Sequence, residues 1–388
     1  MLAVMSDRYD AIVLISFGGP RVPDDVMPFL RNVTKGRGIP EERLAEVAEH
    51  YLHFDGASPI NEQTEDLYEA LVQGLANSGH PMPVYAGNRN WTPFIADAFV
   101  RAHADGHRRL LAVVTSPYAC YSSCRQYLED IERALAETRL DSVLAVDKVR
   151  QFFNHPGFIA PWVRGLEEAV VSLREEVEDL KAEQIEVLFC AHSLPVGYES
   201  SSGPKDGRGV YVAQHLEVAR LVLAEMAQRG GLELPNWQLV FQSRSGPPQM
   251  PWLVPDVNDA IAEIDTSSRK AVITVPISFL SDNMEVIWDL DNEAAATSRD
   301  LGFAFRRVPT PGTAPVFISA LVEMIGERQG WVEGRCSVGK FDAWFDACPP
   351  GCCTPERTGS PRIVRVRTSG EESMTGASRV SVSREAMN

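Results

Sequence analysis

The chain has no surplus of positive charge. Its 37 Lys and Arg face 53 Asp and Glu, giving a formal net charge of −16 over 388 residues, so it lacks the clustered basic surface that nucleic-acid binding requires. It also lacks a continuous apolar run of about 18 to 20 residues, the length a membrane-spanning helix needs. Met1 to Asp10 has neither a basic stretch nor an apolar one, unlike a secretory leader. These absences set the expectation of a cytoplasmic protein with no nucleic-acid partner and no membrane span. Cysteine is scarce and unevenly placed: there are seven, an odd number, and four fall between Cys336 and Cys353. A disulfide-stapled secreted domain uses an even, distributed set. This pattern points instead to reduced thiols and a metal or cluster site.

What is present is enough apolar material for a large core, 44% hydrophobic residues against 23% charged, in a chain long enough for about two domains. Short apolar runs alternate with segments of helical period, as in βα units on a mostly parallel sheet. Strands are expected at 11–16, 83–86, 110–115, 185–191, 238–242, 271–277 and 303–308. Helices are expected at 41–52, 63–76, 122–137, 162–179, 210–229, 285–299 and 314–328. IVLIS and VLFCA are apolar at every position, which suits a sheet covered on both faces. The expected class is therefore α/β with two similar lobes. The first spans residues 1–118, with a helix at about 313–330 crossing back onto it. The second spans 119–312, and a cysteine-rich segment covers 331–353. Residues 354–388 are rich in Ser, Thr, Arg, Gly and Glu, have no aromatics, and are expected to be disordered.

In open α/β sheets, ligands bind beyond the carboxyl ends of strands, and two strand ends here carry unusual chemistry. CAHSLP, Cys190 to Pro195, places His192 just past an apolar strand. In FLSDNMEVIWDLDNEA, Phe279 to Ala294, Glu285, Asp289 and Glu293 recur at i, i+4 and i+8, so three carboxylates share one helix face. Such a row is either a solvated acidic face or a path for a cation. The apolar Val286, Ile287 and Leu290 on the other side, and His192's strand as a neighbour, favour the cation path, with His192 and Glu285 as metal ligands. A third segment, QSRSGPPQMPWLVPDV, Gln242 to Val257, reads as a stiff loop whose Trp252 can present a flat wall.

Taken in order, these three segments resemble those of ferrochelatases. LISFGGP and HYLHFDGASPIN resemble the same family's porphyrin-cleft segments, over roughly Tyr9 to Gln329 and closest to the actinobacterial type. The resemblance implies a chelatase-like fold of two Rossmann-like lobes around a porphyrin cleft, and a lyase that inserts ferrous iron into a porphyrin during haem biosynthesis. Coproporphyrin III is the expected substrate. Protoporphyrin IX is the alternative, or a cobalt or nickel chelatase of the same fold. Contact with neighbouring haem-pathway enzymes is implied as well. By the same resemblance His192 and Glu285 are catalytic, with Asp289 and Glu293 as the acidic path. Ser58, Tyr127, His50, Tyr51, Lys35 and Arg37 contact the porphyrin. Two departures stand out: Phe17 replaces a tyrosine of some bacterial members, and Asn283 replaces the usual histidine. Cys348 to Cys353 resembles the C-terminal end of cluster-bearing members, implying a [2Fe–2S] cluster on Cys124, Cys336, Cys348 and Cys353. Cys352 can stand in for Cys353 and Cys120 for Cys124, and a structural zinc or free thiols remain alternatives.

Overall fold

The computed structural model describes residues 8–36, 38–230, 233–245 and 249–355; Arg37 and residues 356–388 lie outside the described residues. Its frame is eight strands: β1 (Ala11–Ser16), β2 (Val84–Asn88), β3 (Arg109–Val114), β4 (Ala145–Lys148), β5 (Ile185–His192), β6 (Trp237–Gln242), β7 (Ala271–Val275) and β8 (Ala304–Arg307). They form two four-stranded sheets in the orders β2-β1-β3-β4 and β6-β5-β7-β8, and every pairing is parallel. The second order is the first repeated with the next four strands, so the lobes are alike in topology although no repeat is visible in the sequence. β1 and β7 are buried at every position, as their unbroken apolar runs require of strands covered on both faces. In each sheet the order reverses beside the first strand of the lobe, and crevices for ligands open at such switch points.

The first lobe is longer than 1–118. β4 hydrogen-bonds to β3, so that sheet runs to Lys148, and the chain crosses to the second lobe through the helix Pro156–Glu176. Four residues of mixed exposure at a sheet edge are too few for a period-2 signal. The Pro117 region, which looks like a boundary, instead leads into a π-helical turn at Tyr121–Arg125 within the first lobe. The helix Pro23–Val33 is also hidden in the sequence, because Pro28 sits inside it and reads as a breaker. Among the described residues no helix is long and apolar enough to cross a membrane.

The helix Pro315–Gln329 packs on Ile60–Asn77 of the first lobe and on Pro156–Glu176 at the start of the second. Glycines allow the close approach: a Cβ at Gly74 would lie 2.8 Å from Ile318, and one at Gly157 would lie 2.6 Å from Ala320. Gln329 accepts from the Tyr9 amide at 3.2 Å and donates to the Tyr9 carbonyl at 2.9 Å, tying the helix to the start of β1. Two residues earlier, Glu327 accepts two hydrogen bonds from Arg150, at 2.8 and 2.9 Å. These side chains are 0% and 4% exposed, so neither charge can be left to water. Arg150→Met should therefore destabilise the fold by about 3–5 kcal/mol, the usual cost of stranding one partner of a buried pair. The double variant with Glu327→Met should recover most of that loss, as read from denaturant midpoints; equal losses in the single and double variants would refute the pairing.

Candidate active site

His192 is the last residue of β5, and its ring is held by a 2.6 Å contact between Nδ1 and the Ser193 carbonyl. That carbonyl can only accept, so Nδ1 carries a proton and Nε2 points at Glu285 Oε2, 3.4 Å away. Glu285 belongs to the short helix Met284–Val286, which opens where Asn283 Oδ1 accepts from the Val286 amide at 3.0 Å. Asn283, which departs from the family pattern, thus serves as a helix cap of a preferred type. Ile287–Ala294 then continues as a π-helix, a conformation concentrated at functional sites. Gln242, at the end of β6, donates to the Glu285 carbonyl at 3.0 Å and to Asp289 at 3.3 Å. Ser243, in the left-handed region at φ 61°, donates to Asp289 as well. Two strand ends and the helical segment that follows β7 therefore converge on one point.

The electrostatics follow from this convergence. Burial alone would lower the His192 pKa, but the adjoining Glu285 carboxylate, the Ser193 carbonyl and Asp289 outweigh it and raise the pKa to about 9. Burial, reinforced by Glu285 and Glu293, raises Asp289 to about 7 against the Ser243 bond. Asp289 senses both other carboxylates, so the row predicted from spacing is a row in space. Glu293 accepts from the Trp288 indole at 3.0 Å, at the exposed end of that row.

The opposite wall comes from the first lobe. His50 stacks on Trp288 with centroids 3.9 Å apart and planes at 6°, joining the helix Glu41–His53 to the π-helix across the cleft. Tyr51 is pushed upward by burial and by Glu285, which puts it within that carboxylate's field. Behind it, Phe29 packs edge-on against Tyr51, Phe17 and Trp91. Ser58 is 7% exposed and lines a cavity of about 390 Å³ shared with Phe54, Asp282, Ile287 and Asp291. Tyr127 is buried in the first lobe with the Arg89 guanidinium 5.0 Å above its ring. Lys35 is exposed in the turn after Pro23–Val33. Sequence reasoning missed Tyr211, whose hydroxyl donates to the His192 carbonyl at 2.9 Å, and the stacking role of Trp288. Neither carries a spacing signal, because each acts through a partner distant in the chain.

The thiols form two pairs. Cys124 lies 4.0 Å from Cys348, and Cys352 lies 3.8 Å from Cys353. The pairs lie close enough for Cys348 to sense Cys352 as well as Cys124, which pulls its thiol pKa down and pushes theirs up. Lys148 lies close enough to favour the charged form of Cys124, Cys348 and Cys353, and the Gly203 amide donates to Cys353 at 3.2 Å. A tetrahedral zinc would bring four sulfurs mutually to about 3.8 Å, given bonds of about 2.3 Å. Among the described residues no three of these sulfurs are mutually within 4.8 Å, the one such ligand group being His155, Glu323 and Cys336. Two pairs fit two irons better than one zinc. Cys336, expected among the ligands, lies with His155 and Glu323, and the sulfur nearest Cys353 is that of Cys352. Spacing along the chain cannot order adjacent cysteines, or reveal that residues 337–347 fold back between Cys336 and Cys348.

Two parallel α/β lobes closing on an imidazole–carboxylate pair, with an acidic row leading in, are the arrangement of an enzyme that handles a divalent cation. The ferrochelatase family profile matches residues 9–329, and the chain belongs to that family. It is 50% identical over 364 residues to the coproporphyrin III ferrochelatase of Leifsonia xyli, covering 90% of this chain and 92% of that protein. It is 46% identical to the coproporphyrin III ferrochelatase of Streptomyces coelicolor, covering 91% and 95%. It is 44% identical to the ferrochelatase of Rhodopirellula baltica, covering 90% and 95%.

Because the His192 pKa is raised in the fold, its pairing with Glu285 stabilises the metal-free protein fully below the ordinary histidine pKa of about 6.5. That contribution is lost as the pH rises through about 9. In Glu285→Gln the main raising influence disappears and burial remains, so the His192 pKa should fall by at least about one unit, measured by NMR titration of the imidazole. An unchanged titration would show that Glu285 does not face the ring.

Proposed function

We propose that the protein inserts ferrous iron into coproporphyrin III to give coproheme, with His192 and Glu285 as the reacting pair. The 3.4 Å contact between them, in a cleft whose far wall carries His50 and Tyr51, with His50 stacked on Trp288 of the near side, carries this reading. Insertion requires the cation to shed water and the macrocycle to lose two pyrrole protons. Asp289 and Glu293 supply oxygen ligands on the way to Glu285, the kind that hold a partly hydrated divalent ion. Glu285 supplies an anion at the point of delivery. Once a cation offsets that anion, His192 loses what keeps it protonated and becomes a competent base near neutrality. Aromatic rings on the first-lobe wall exclude water and offer a flat face to a planar ligand.

The choice of coproporphyrin III rests on the actinobacterial relatives named for it and on the number of candidate carboxylate partners, His50, Tyr51, Ser58, Tyr127, Lys35 and Arg37. Coproporphyrin has four propionates and protoporphyrin IX has two. A hydrogen bond to a charged group contributes about 1.5–3 kcal/mol, so two further satisfied carboxylates amount to a preference of tenfold or more. Under anaerobic conditions kcat/KM should favour coproporphyrin III by about tenfold or more, and His192→Ala and Glu285→Gln should each lose nearly all iron insertion. Equal values for the two porphyrins would remove the substrate assignment and leave the family reaction; wild-type turnover in either variant would remove the site assignment.

The reading includes a [2Fe–2S] cluster held by Cys124, Cys348, Cys352 and Cys353, supported by the paired sulfurs, the neighbouring Lys148 and the Gly203 amide. When bound, such a group would supply a one-electron redox centre, and its ligands would tie the C-terminal segment to the first lobe through Cys124. Free thiols of this kind suit a reducing compartment such as the cytoplasm, where contacts with other haem-pathway enzymes would be transient. Freshly purified protein should be brown with about two irons per chain. Serine at any of the four positions should bleach it, while Cys336→Ser should keep the colour. A colourless protein, or bleaching by Cys336→Ser, would refute this ligand set.

A further inference from the structure

Outside the site described above, three metal-binding side chains that the iron chemistry does not use come together from separate parts of the chain. His155 caps the helix Pro156–Glu176, Glu323 lies on Pro315–Gln329, and Cys336 lies seven residues beyond that helix. One ligand atom from each lies within 4.8 Å of the other two. His155 is 2% exposed. Its Nδ1 accepts the Gly157 amide at 3.1 Å, while its Nε2 is enclosed without a hydrogen-bond partner, 3.5 Å from Glu323 Oε2. Because Nδ1 accepts that amide it carries no proton, so the imidazole is neutral and able to ligate. A cavity of about 290 Å³, lined by His155, Gly157, Glu225 and Glu323, opens onto the group.

We infer that His155, Glu323 and Cys336 bind a borderline divalent cation of the zinc class, with the cavity side left for water or Glu225 as a fourth ligand. The donor set decides the class. Thiolate and imidazole select against magnesium and calcium, which prefer oxygen alone, and three protein ligands with one open position are a common zinc arrangement. Cys336 gives up its proton on binding, and the thiolate with the Glu323 carboxylate then balances the two positive charges. The neighbouring Arg150 is already matched by Glu327, so it leaves no excess positive charge. For Nε2 to ligate, the ring proton moves to Nδ1. The Gly157 amide then loses its acceptor, and since Gly157 lines the cavity, water can replace it. The bound ion would join the two long helices to the segment that leads to the paired cysteines.

The test uses the full-length protein stripped of loosely held metal, with cobalt(II) and then zinc added alone. Wild type should show a thiolate-to-cobalt charge-transfer band that zinc abolishes, and should retain one more zinc per chain after gel filtration than Cys336→Ser. Glu323→Gln should weaken zinc binding by more than about tenfold. Both variants should keep wild-type iron insertion, because neither residue belongs to the cleft. Cobalt bound at the other cysteines or at His192 would give the same spectrum in wild type and Cys336→Ser. That result, or wild-type affinity in Glu323→Gln, overturns the proposal.

Discussion

The buried fork between Arg150 and Glu327 is the contact on which the arrangement of the two lobes depends. Arg150 lies just after the last strand of the first sheet, and Glu327 lies on the last long helix, which returns from the far end of the second lobe. Both charges are shut away from water, so each tolerates burial only because the other is present. The same guanidinium donates to the Cys336 carbonyl at 2.8 Å, so the start of the cysteine-rich segment is set by the fork too. With Gln329 holding Tyr9, the helix closes the chain on itself and sets the spacing of the lobes. The cleft is the gap that remains.

Within that gap the chemistry is arranged by strand ends rather than by any single motif. β5 delivers His192, β6 delivers Gln242 and Ser243, and the chain after β7 delivers Glu285 from a helix capped by Asn283. A carboxylate row on a π-helix would repel itself, and the structure meets this in two ways. Asp289 is held by Ser243 and Gln242 while its pKa rises to about 7, and His192 answers Glu285 with a positive charge. The His192–Glu285 pair is thus balanced while it waits, and a cation arriving at Glu285 replaces a proton on His192 rather than meeting an unopposed anion.

The thiol pairs and the His155 group show how two sets of soft ligands can lie near one another without mixing. Cys336 and Cys348 are both part of the C-terminal segment, yet one faces the crossing helix and the other faces the π-helical turn that carries Cys124. The turn at Tyr121–Arg125 directs Cys124 inward, and Lys148 at the end of β4 favours the charged form of three of the four paired thiols. The edge strand that escaped sequence analysis is therefore also what brings a cation to the cysteines.

Much of this was legible in the chain. Apolar runs such as IVLIS and VLFCA suit strands covered on both faces, and seven of the eight strands were legible as short runs alternating with segments of helical period. The family segments, and the positions of His192 and of the carboxylates at spacing four, are likewise properties of local sequence: local geometry puts residues four apart on neighbouring turns, in a π-helix nearly as well as in an α-helix. The tertiary structure alone decided that β4 completes the first sheet, that Tyr211 and Trp288 take part in the site, and that Cys352 rather than Cys336 joins the paired thiols. Each of these depends on contacts between residues far apart in sequence, and such contacts are set by how whole elements pack, about which the spacing of a few residues carries no information.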